Sequence, residues 1–530
     1  MRTIEGDVLV IGGGATGAGV YFDLAQRGLR VVLAEMNDLC TGTSGRYHGL
    51  LHSGGRYAVN DPESAIECAE ENVILRQIAP HAIEDTGGLF VGFRSDPLDY
   101  VEPFKQGCAR AGIPAELISR AEALKLAPGL DPTLVTAIRV PDASLDSFDL
   151  VHSIVEAAEQ YRGTTLTYHK VTGFQIEGGR VVGTLLENRN SGEQVRVNAQ
   201  YVINATGPWA NVIGEMIGVP IKMRHSKGIM IAMNVRWVHT IINRLKPPAD
   251  GDILVPVGTV CVIGTTSITV PSPDHFEITA EEVSQMLDDG EVMIPGFRKA
   301  RALRVWAGVR PLYEDPNGNN LDSEGREVKR TFSVLDHEHD GIGGVASIVG
   351  GKLTTYRQMA EKISDFVCAK LGIVRPCVTA TTVLPAPRHQ QRKYHALPQR
   401  EREFEHADTH KGLICECEIV TRPQLEEAIR SGGESVKLDD LRRDTRLGMG
   451  PCQAGFCAYR AAGILQETTK LPTDTAVAAL RDFVQERFRG NRPLWGHHAA
   501  GVTRRDDFSP FAWRRTGEAP RSAEVTTSHG

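Results

Sequence analysis

The sequence predicts an α/β protein in which a second domain interrupts the first and a small helical domain lies near the C-terminal end. Three observations predict this class. The chain opens with a strand–loop–helix–strand unit, another buried strand ends on a glycine turn at Gly207, and four of the ten cysteines lie between residues 415 and 457. A chain of 530 residues is long enough for two to four domains.

The opening unit consists of three consecutive runs. Asp7 to Ile11 is a short apolar run with β-branched residues, small and apolar residues recur at helical spacing from Gly17 to Arg27, and Leu29 to Glu35 is the next apolar run. These runs predict one βαβ unit that begins almost at residue 1.

The loop of this unit fits the pattern G-x-G-x-x-G. Gly12 permits the tight turn, Gly14 lets the backbone approach a pyrophosphate, and Gly17 lets the helix pack close to the strand. Glu35 ends the second strand, where its carboxylate can accept hydrogen bonds from a ribose. The pattern predicts a Rossmann-like dinucleotide site without separating NAD from FAD, and the alternative is an ordinary glycine-rich turn.

Composition excludes several classes of function. The formal net charge is −7, so a nucleic-acid role is not expected. No apolar run reaches the roughly 18 residues that span a bilayer, and no secretory signal precedes the first strand. We therefore expect a reducing cytoplasm, where clustered cysteines bind metal more often than they pair.

The middle of the chain indicates a discontinuous first domain. Residues 200–207 are a buried strand, 228–234 and 260–266 are strand-like, and residues 36–199 look mostly helical. We expect the following division: 1–60, 140–215 and 340–380 in the nucleotide-binding domain, 61–139 and 216–339 in the inserted substrate-binding domain, 381–410 as a linker, 411–465 as the four-cysteine domain, and 466–530 as a helical segment with a poorly ordered tail.

The cysteine cluster has the order Cys415, Cys417, Cys452 and Cys457. Four thiolates suit either zinc or a 2Fe–2S cluster, and the close C-x-C pair disfavours zinc, whose ligands are usually spaced more widely. Val420 to Arg430 is expected to be helical, and the basic run from Leu441 to Arg446 would stabilise an anionic cluster. Reduced structural thiols are the remaining alternative.

Five further segments resemble the FAD-dependent glycerol-3-phosphate dehydrogenases, and the resemblance extends to about residue 380. These are LLHSGGRY (50–57), NATGPW (204–209), IGTT (263–266), GVRPL (308–312) and GGKLTTYR (350–357). The resemblance implies a Rossmann-like FAD-binding domain capped by a mixed-sheet substrate domain. It also implies oxidation of sn-glycerol 3-phosphate to dihydroxyacetone phosphate, with FAD as the acceptor.

The resemblance also implies which residues contact the cofactor. Thr41 and Ser44 belong to the loop that runs near the flavin, and Gly207 would close against FAD. Gly351 and Thr354 would lie at the pyrimidine edge of the flavin, beside the substrate phosphate.

The residue types suit a phosphorylated alcohol as well. Arg56, Arg310 and Lys352 lie in glycine-rich contexts and could bind a phosphate, with a structural salt bridge as the alternative. His52 could take the hydroxyl proton, although Arg310 or an ordered water could serve instead, or His52 could be a core histidine. Tyr57 and Thr266 could hydrogen-bond to substrate oxygens.

The four-cysteine segment resembles the bacterioferritin-associated-ferredoxin type of 2Fe–2S domain, with a C-x4-C second pair in place of the common C-x2-C. Among glycerol-3-phosphate dehydrogenases, this domain and this wider pair point to the anaerobic type. That resemblance implies electron delivery to a flavoprotein B subunit, then to an iron–sulfur membrane subunit, then to quinone. It also implies peripheral attachment to the cytoplasmic side of the inner membrane through partners, and it leaves open whether the assembly binds FMN.

Two other functions remain open from the sequence. An FAD-dependent amine or hydroxy-acid oxidase of the same fold needs one carboxylate-binding arginine. It passes electrons to oxygen and needs no iron–sulfur domain. A non-catalytic flavin and metal redox subunit would not need the combination of His52, Arg56, Arg310 and Lys352.

Overall fold

The computed structural model describes residues 1–316, 330–387, 397–406, 412–433 and 436–494. The predicted poorly ordered tail lies outside the described residues, as do residues 388–396 and 407–410 of the predicted linker.

The first sheet has six strands, which come from three separate parts of the chain: residues 8–34, 164–204 and 332–350. Its order is Thr164–Leu166, Val31–Ala34, Val8–Ile11, Tyr201–Asn204, Val345–Gly350 and Phe332–Asp336. All neighbours are parallel except the last pair, which is antiparallel. The three central strands and Val345–Gly350 are completely buried, which is why they are continuous apolar runs in the sequence.

Three helices pack in the core with this sheet: Ala15–Gln26, Ser147–Glu159 and Tyr356–Lys370. The predicted opening βαβ unit is confirmed, with each bound within two residues of its prediction; the helix begins two residues earlier than predicted. The predicted strand near residue 204 is confirmed as well. The helix Ala210–Met216 follows it.

The second sheet is mixed and has nine strands. Along its main path the order is Ile268–Thr269, Met223–Met233, Val260–Gly264, Ile253–Val257, Ile241–Arg244, Gly88–Gly92, Thr136–Val140 and Glu116–Ile118. The ninth strand, Ala302–Tyr313, pairs antiparallel with Met223–Met233. The strand predictions at 228–234 and 260–266 are confirmed, and so is the mixed sheet.

Four helices surround this second sheet or connect to it: Pro62–Ile78, Val101–Arg110, Arg120–Leu126 and Ala280–Met293. Short 3-10 turns occur at Thr43–Gly45, Gly55–Tyr57, Pro80–Ala82, Leu98–Tyr100, Gly207–Trp209, Phe297–Lys299 and His337–Asp340.

The expectation that residues 36–199 are mostly helical is wrong. This stretch contributes four helices but also two small sheets. One sheet contains Arg2–Glu5, Gln194–Asn198, Arg180–Asn188 and His169–Glu177, and the other contains Leu50–Leu51, Ala143–Leu145 and Ile83–Glu84. The signal was present, because two long β-rich runs flank Gly178-Gly179, a typical hairpin turn.

The four-cysteine domain has its own apolar core. It contains the strands Leu413–Cys415 and Val420–Thr421 and the helices Arg422–Gly432, Leu438–Thr445, Cys457–Thr469 and Thr473–Phe488. The predicted helix at 420–430 begins only at Arg422, because Thr421 and Gln424 form a capping box there. The helix Leu397–Glu405 precedes the domain.

Among the described residues, no helix combines the length and apolar character needed to cross a membrane.

Candidate active site and four-cysteine centre

The backbone of the glycine loop packs closely against the segment at Ala205 and Thr206. Gly12 has φ +114°, and a Cβ on it would come within 2.6 Å of the Ala205 carbonyl oxygen. A Cβ on Gly17 would collide with the carbonyl oxygen of Gly12, so the helix can approach the strand only with glycine there. Gly14 precedes the first helix and faces the cavity, where its neighbour is the Ser44 hydroxyl.

Polar groups line the loop where a dinucleotide would lie. Glu35 accepts hydrogen bonds from the backbone N–H groups of Gly13 (2.7 Å) and Asn37 (2.9 Å). Burial raises the pKa of this carboxyl. The Ser44 hydroxyl accepts a hydrogen bond from the Ala15 N–H (3.0 Å), which is one of the free donors of a helix N-terminus. This arrangement of glycine backbone, helix end and terminal acid fits the pyrophosphate and ribose of FAD.

A single cavity of about 3820 Å³ extends from this loop past the substrate-binding sheet to the four-cysteine domain. Small-molecule pockets usually measure roughly 300–1,000 Å³, so the cavity has room for more than one ligand. Eight of the nine predicted cofactor residues line it, all except Gly17: Gly12, Gly14, Glu35, Thr41, Ser44, Gly207, Gly351 and Thr354. Thr354 also ties two segments together, because its hydroxyl accepts a hydrogen bond from the backbone N–H of His52 (3.3 Å).

One end of the cavity is rich in cations. Arg310 donates hydrogen bonds to the Ser226 hydroxyl (3.0 Å), the Thr266 carbonyl (2.8 Å) and the Thr265 hydroxyl. Burial, followed by the repulsion of Arg330, lowers the pKa of Arg310 to about 10, so it stays protonated at neutral pH. A buried charge whose hydrogen-bond partners in the described part of the chain are all neutral is suited to bind an anion.

Three more cations lie at this end. Arg56 is paired with Asp252 (2.9 Å), which raises its pKa despite burial. Lys352 forms an ion pair with Glu67 (3.4 Å), donates to the Arg330 carbonyl (2.9 Å) and lies 5.2 Å from the ring centre of Tyr57. The Arg330 side chain faces the same cavity, and its Nε has no hydrogen-bond partner within the described ranges.

Two buried histidines lie beside these cations. The ring centres of His52 and His48 are 6.0 Å apart, and that of Tyr57 is 5.4 Å from His52. Burial, assisted by His48 and Arg56, holds the pKa of His52 well below its usual value, and burial together with Arg56 lowers the pKa of His48 to about 3. Both imidazoles are therefore neutral at pH 7, the form that a general base requires, and a bound phosphate dianion beside these cations would raise their pKa and make them stronger bases.

The structure brings Arg56, Tyr57, Arg310, Lys352 and His52 together, but not Thr266. Thr266 is buried, its hydroxyl accepts a hydrogen bond from the Ile229 N–H (3.1 Å), and the preceding residue, Thr265, lines the cavity instead. The adjacent hydroxyl of Thr265 is therefore the better candidate to contact a substrate oxygen.

The thiols of the four cysteines are close neighbours in the described part of the chain, linked by contacts that involve Cys417 and Cys457. Cys417 Sγ lies 3.8 Å from Cys415 Sγ and 3.6 Å from Cys452 Sγ. Hydrogen bonds from Cys417 and then Cys457 lower the pKa of both the Cys415 and Cys452 thiols. Sulfurs bound at roughly 2.3 Å to one tetrahedral metal are about 3.8 Å apart, so the spacing suits thiolate ligation.

Ion pairs join this domain to the first sheet. Arg446 is paired with Asp146 (2.8 Å) and with Glu418 (3.0 Å), which is next to Cys417. Arg443 is paired with Asp38 (2.7 Å), three residues after Glu35. The cysteine centre is thus held against the dinucleotide-binding region by buried charges.

Comparison with known proteins identifies two families along the chain. Residues 7–357 match the family described as FAD dependent oxidoreductase, and residues 413–467 match the BFD-like [2Fe-2S] binding domain. The chain is 43% identical over 511 residues to the A subunit of the anaerobic glycerol-3-phosphate dehydrogenase of Escherichia coli K12, covering 92% of this chain and 93% of the relative.

The chain belongs to the family of these A subunits. The A1 subunit of the Haloferax volcanii enzyme is 41% identical over 539 residues, covering 94% of this chain and 91% of that protein. Both relatives are named as subunits, so each is one component of a larger enzyme. The FAD complex of the glycerol-3-phosphate dehydrogenase of Bacillus halodurans has the same fold, with a TM-score of 0.58, 23% identity and coverage of 94% and 88% of the two chains.

This membership decides two questions that the residues alone had left open. The dinucleotide is FAD rather than NAD, and the cysteine centre carries a 2Fe–2S cluster rather than zinc. Sequence reasoning missed His48, Arg330 and Thr265 as components of the cation-rich end. Thr265 lies within the IGTT motif and His48 lies two residues before the LLHSGGRY motif, whereas nothing in the local sequence distinguishes Arg330 from other arginines.

Proposed function

We propose that this chain oxidises sn-glycerol 3-phosphate to dihydroxyacetone phosphate, with FAD as the immediate acceptor. The observation that carries the proposal is the meeting of four cations with two neutral imidazoles at one end of the FAD-binding cavity. The names of the relatives support the same reaction.

The substrate phosphate is bound by the cations. Arg310 offers a charge that only neutral groups contact among the described residues, and Lys352 and Arg330 add positive charge to the same space. A phosphomonoester carries nearly two negative charges, and arginine forks bind it in a fixed orientation. The phosphate therefore anchors one end of a three-carbon substrate and places its middle carbon by the histidines.

His52 takes the hydroxyl proton. When bound, FAD supplies the acceptor for the hydride that leaves the middle carbon of the substrate. A neutral His52 imidazole can accept the proton at pH 7, whereas Arg310, with a pKa of about 10, is already protonated and cannot. His48 is the neighbouring imidazole that could replace it.

The four-cysteine domain supports a route for electrons out of the chain. A 2Fe–2S cluster accepts one electron at a time, whereas a flavin can take up two and release them singly. We propose delivery to a flavoprotein B subunit, then to an iron–sulfur membrane subunit, with quinone as the final acceptor. The chain would then lie on the cytoplasmic side of the inner membrane, attached through those partners.

Substrate-dependent bleaching of FAD tests this function. In anaerobic mixing, sn-glycerol 3-phosphate should reduce the bound FAD and yield dihydroxyacetone phosphate, whereas glycine and 2-hydroxy acids should not. In dye-coupled turnover, Arg310→Ala should lower kcat/KM by roughly 30-fold to several thousandfold, because loss of a buried charge contact costs about 2–5 kcal/mol.

Arg298→Ala is the matched control, because Arg298 forms a surface pair with Asp288 (2.6 Å) and should leave kcat/KM unchanged. Reduction by glycine or a 2-hydroxy acid but not by sn-glycerol 3-phosphate would instead support an amine or hydroxy-acid oxidase. FAD that no substrate bleaches would indicate a non-catalytic redox subunit.

A further inference from the structure

The cavity has a second cluster of arginines at its other end. The strand Ala302–Tyr313 carries Arg310 near one end and Arg304 near the other, and both line the cavity. The two residues are six positions apart, so they lie on the same face of the strand and their Cα atoms are roughly 20 Å apart. A phosphate bound at Arg310 therefore does not reach Arg304.

Arg304 is surrounded by positive charge from three other segments. Arg46 comes from the loop that follows Ser44, and Arg442 and Arg487 come from two helices of the four-cysteine domain. All four arginines line the cavity. Arg487 is only 4% exposed, and the Arg304 side chain is 15% exposed.

The carboxylates near this cluster do not balance its charge. Glu486 approaches Arg304 only to 3.9 Å, and Asp439 is already paired with Arg442 (2.7 Å) and with Arg443. The buried Nε atoms of Arg304 and Arg487 have no hydrogen-bond partner among the residues that the structure describes. Burial, followed by repulsion from Arg442, lowers the pKa of Arg304 to about 10.

Such a cluster is unfavourable without an anion, because buried charges need partners and buried donors need acceptors. In the described part of the chain, four arginines against these two carboxylates leave an excess of about two positive charges before the anionic 2Fe–2S cluster is counted, and the buried Nε atoms of Arg304 and Arg487 still lack an acceptor there. That excess matches a phosphate group, which carries about −1.5 to −2 at neutral pH and has three strong acceptor oxygens.

We propose that Arg46, Arg304, Arg442 and Arg487 form a second anion site, which binds the phosphate of a phosphorylated compound or free phosphate. The site lies between the two cofactor regions, since Arg46 follows the flavin loop and Arg487 donates a hydrogen bond to Gln453, the neighbour of Cys452. None of its four arginines belongs to the glycine loop, whose backbone N–H groups would hold the FAD pyrophosphate. It does not depend on the identity of the substrate.

Binding of labelled inorganic phosphate to the holoprotein, at constant ionic strength, tests the proposal. Equilibrium dialysis should count two sites per chain. Arg310→Gln should remove one site, and the double substitution Arg304→Gln with Arg487→Gln should remove the other. Arg481→Gln is the control at the rim of the cavity, where the side chain is 61% exposed, and it should keep both sites.

Two measurements separate loss of binding from loss of folding. FAD absorbance and the cluster EPR signal should persist in the double variant, and replacement of the same two residues by lysine should restore part of the phosphate binding. Dihydroxyacetone phosphate should displace phosphate only from the Arg310 site. If it displaces none while the count stays at two, the proposed substrate is wrong and the second anion site stands.

The compounds that co-purify with the protein identify the source of the anion. An acid extract that contains a phosphorylated compound besides FAD identifies an organic ligand, and an extract without one identifies free phosphate. A single wild-type site that Arg310→Gln removes, or an unchanged count in the double variant, overturns the proposal; a single site that only the double variant loses overturns the Arg310 site instead. A double variant that keeps its phosphate sites but loses other subunits also overturns the proposal, since the arginines would then bind a partner protein.

Discussion

The FAD-binding region and the four-cysteine domain are built on different physical principles. In the FAD-binding region, buried apolar strands and the close backbone approach that Gly12 and Gly17 permit create the space for the cofactor. The four-cysteine domain has a small core of its own and is held in place by buried ion pairs of Arg443 and Arg446. The fold of the FAD-binding region therefore depends on residues that are close together in the sequence. The position of the four-cysteine domain depends instead on charged side chains that are far apart in the chain.

The largest expected effect is the loss of the cluster alone. Cys452→Ser should abolish the EPR signal of the reduced 2Fe–2S cluster, because one of four thiolate ligands is lost. FAD content and its reduction by sn-glycerol 3-phosphate should persist, because the glycine loop that would hold FAD belongs to a different core from that of Cys457 and its neighbours. A persisting EPR signal would contradict the ligand assignment, and loss of FAD would contradict the independence of the two regions. Cys377→Ser, which changes a thiol outside the centre, is the control.

The next effect concerns the attachment of the domain. Arg446→Gln leaves the carboxylates of Asp146 and Glu418 without their shared cation, which typically costs about 3–5 kcal/mol for a buried pair. Hydrogen exchange should become faster in the helix Leu438–Thr445, while exchange in Ala15–Gln26 should stay unchanged. Arg430→Gln, which breaks an exposed pair with Glu427, should change neither helix. Equal acceleration in both helices would mean that the two regions unfold as one unit.

The smallest effect concerns the histidines at the substrate end. The pKa of His48 is about 3 in the folded chain, so below about pH 6.5 the unfolded chain binds a proton that the folded chain does not. Stability should therefore fall as the pH drops below about 6.5. His48→Gln should reduce the loss between about pH 6.5 and pH 5 by about 1.5 kcal/mol in chemical denaturation of the holoprotein. An identical pH dependence in wild type and variant would show that His48 is protonated in the folded protein. His339→Gln is the control, since its side chain is 87% exposed.

The sequence by itself determined the features that rest on contiguous residues. Buried parallel strands are apolar on both faces, so 8–11, 31–34 and 201–204 were visible as runs. The glycine loop and the cysteine spacing were visible for the same reason, since backbone geometry and thiolate ligation each require particular residue types at short spacing. The long hairpin strands on either side of Gly178-Gly179 were visible in the sequence and were overlooked, whereas the short strands near residues 50 and 83 were missed because helical and strand patterns alternate there over short distances.

Only the tertiary structure decided which polar side chains meet. Thr265 rather than Thr266 faces the cavity because of how one strand end turns, and Arg330 joins the substrate end from a segment more than 270 residues away from Arg56. The second arginine cluster combines side chains from residues 46, 304, 442 and 487. Such meetings depend on packing between distant segments, and the charge that one residue experiences is set by neighbours that its own local sequence does not specify.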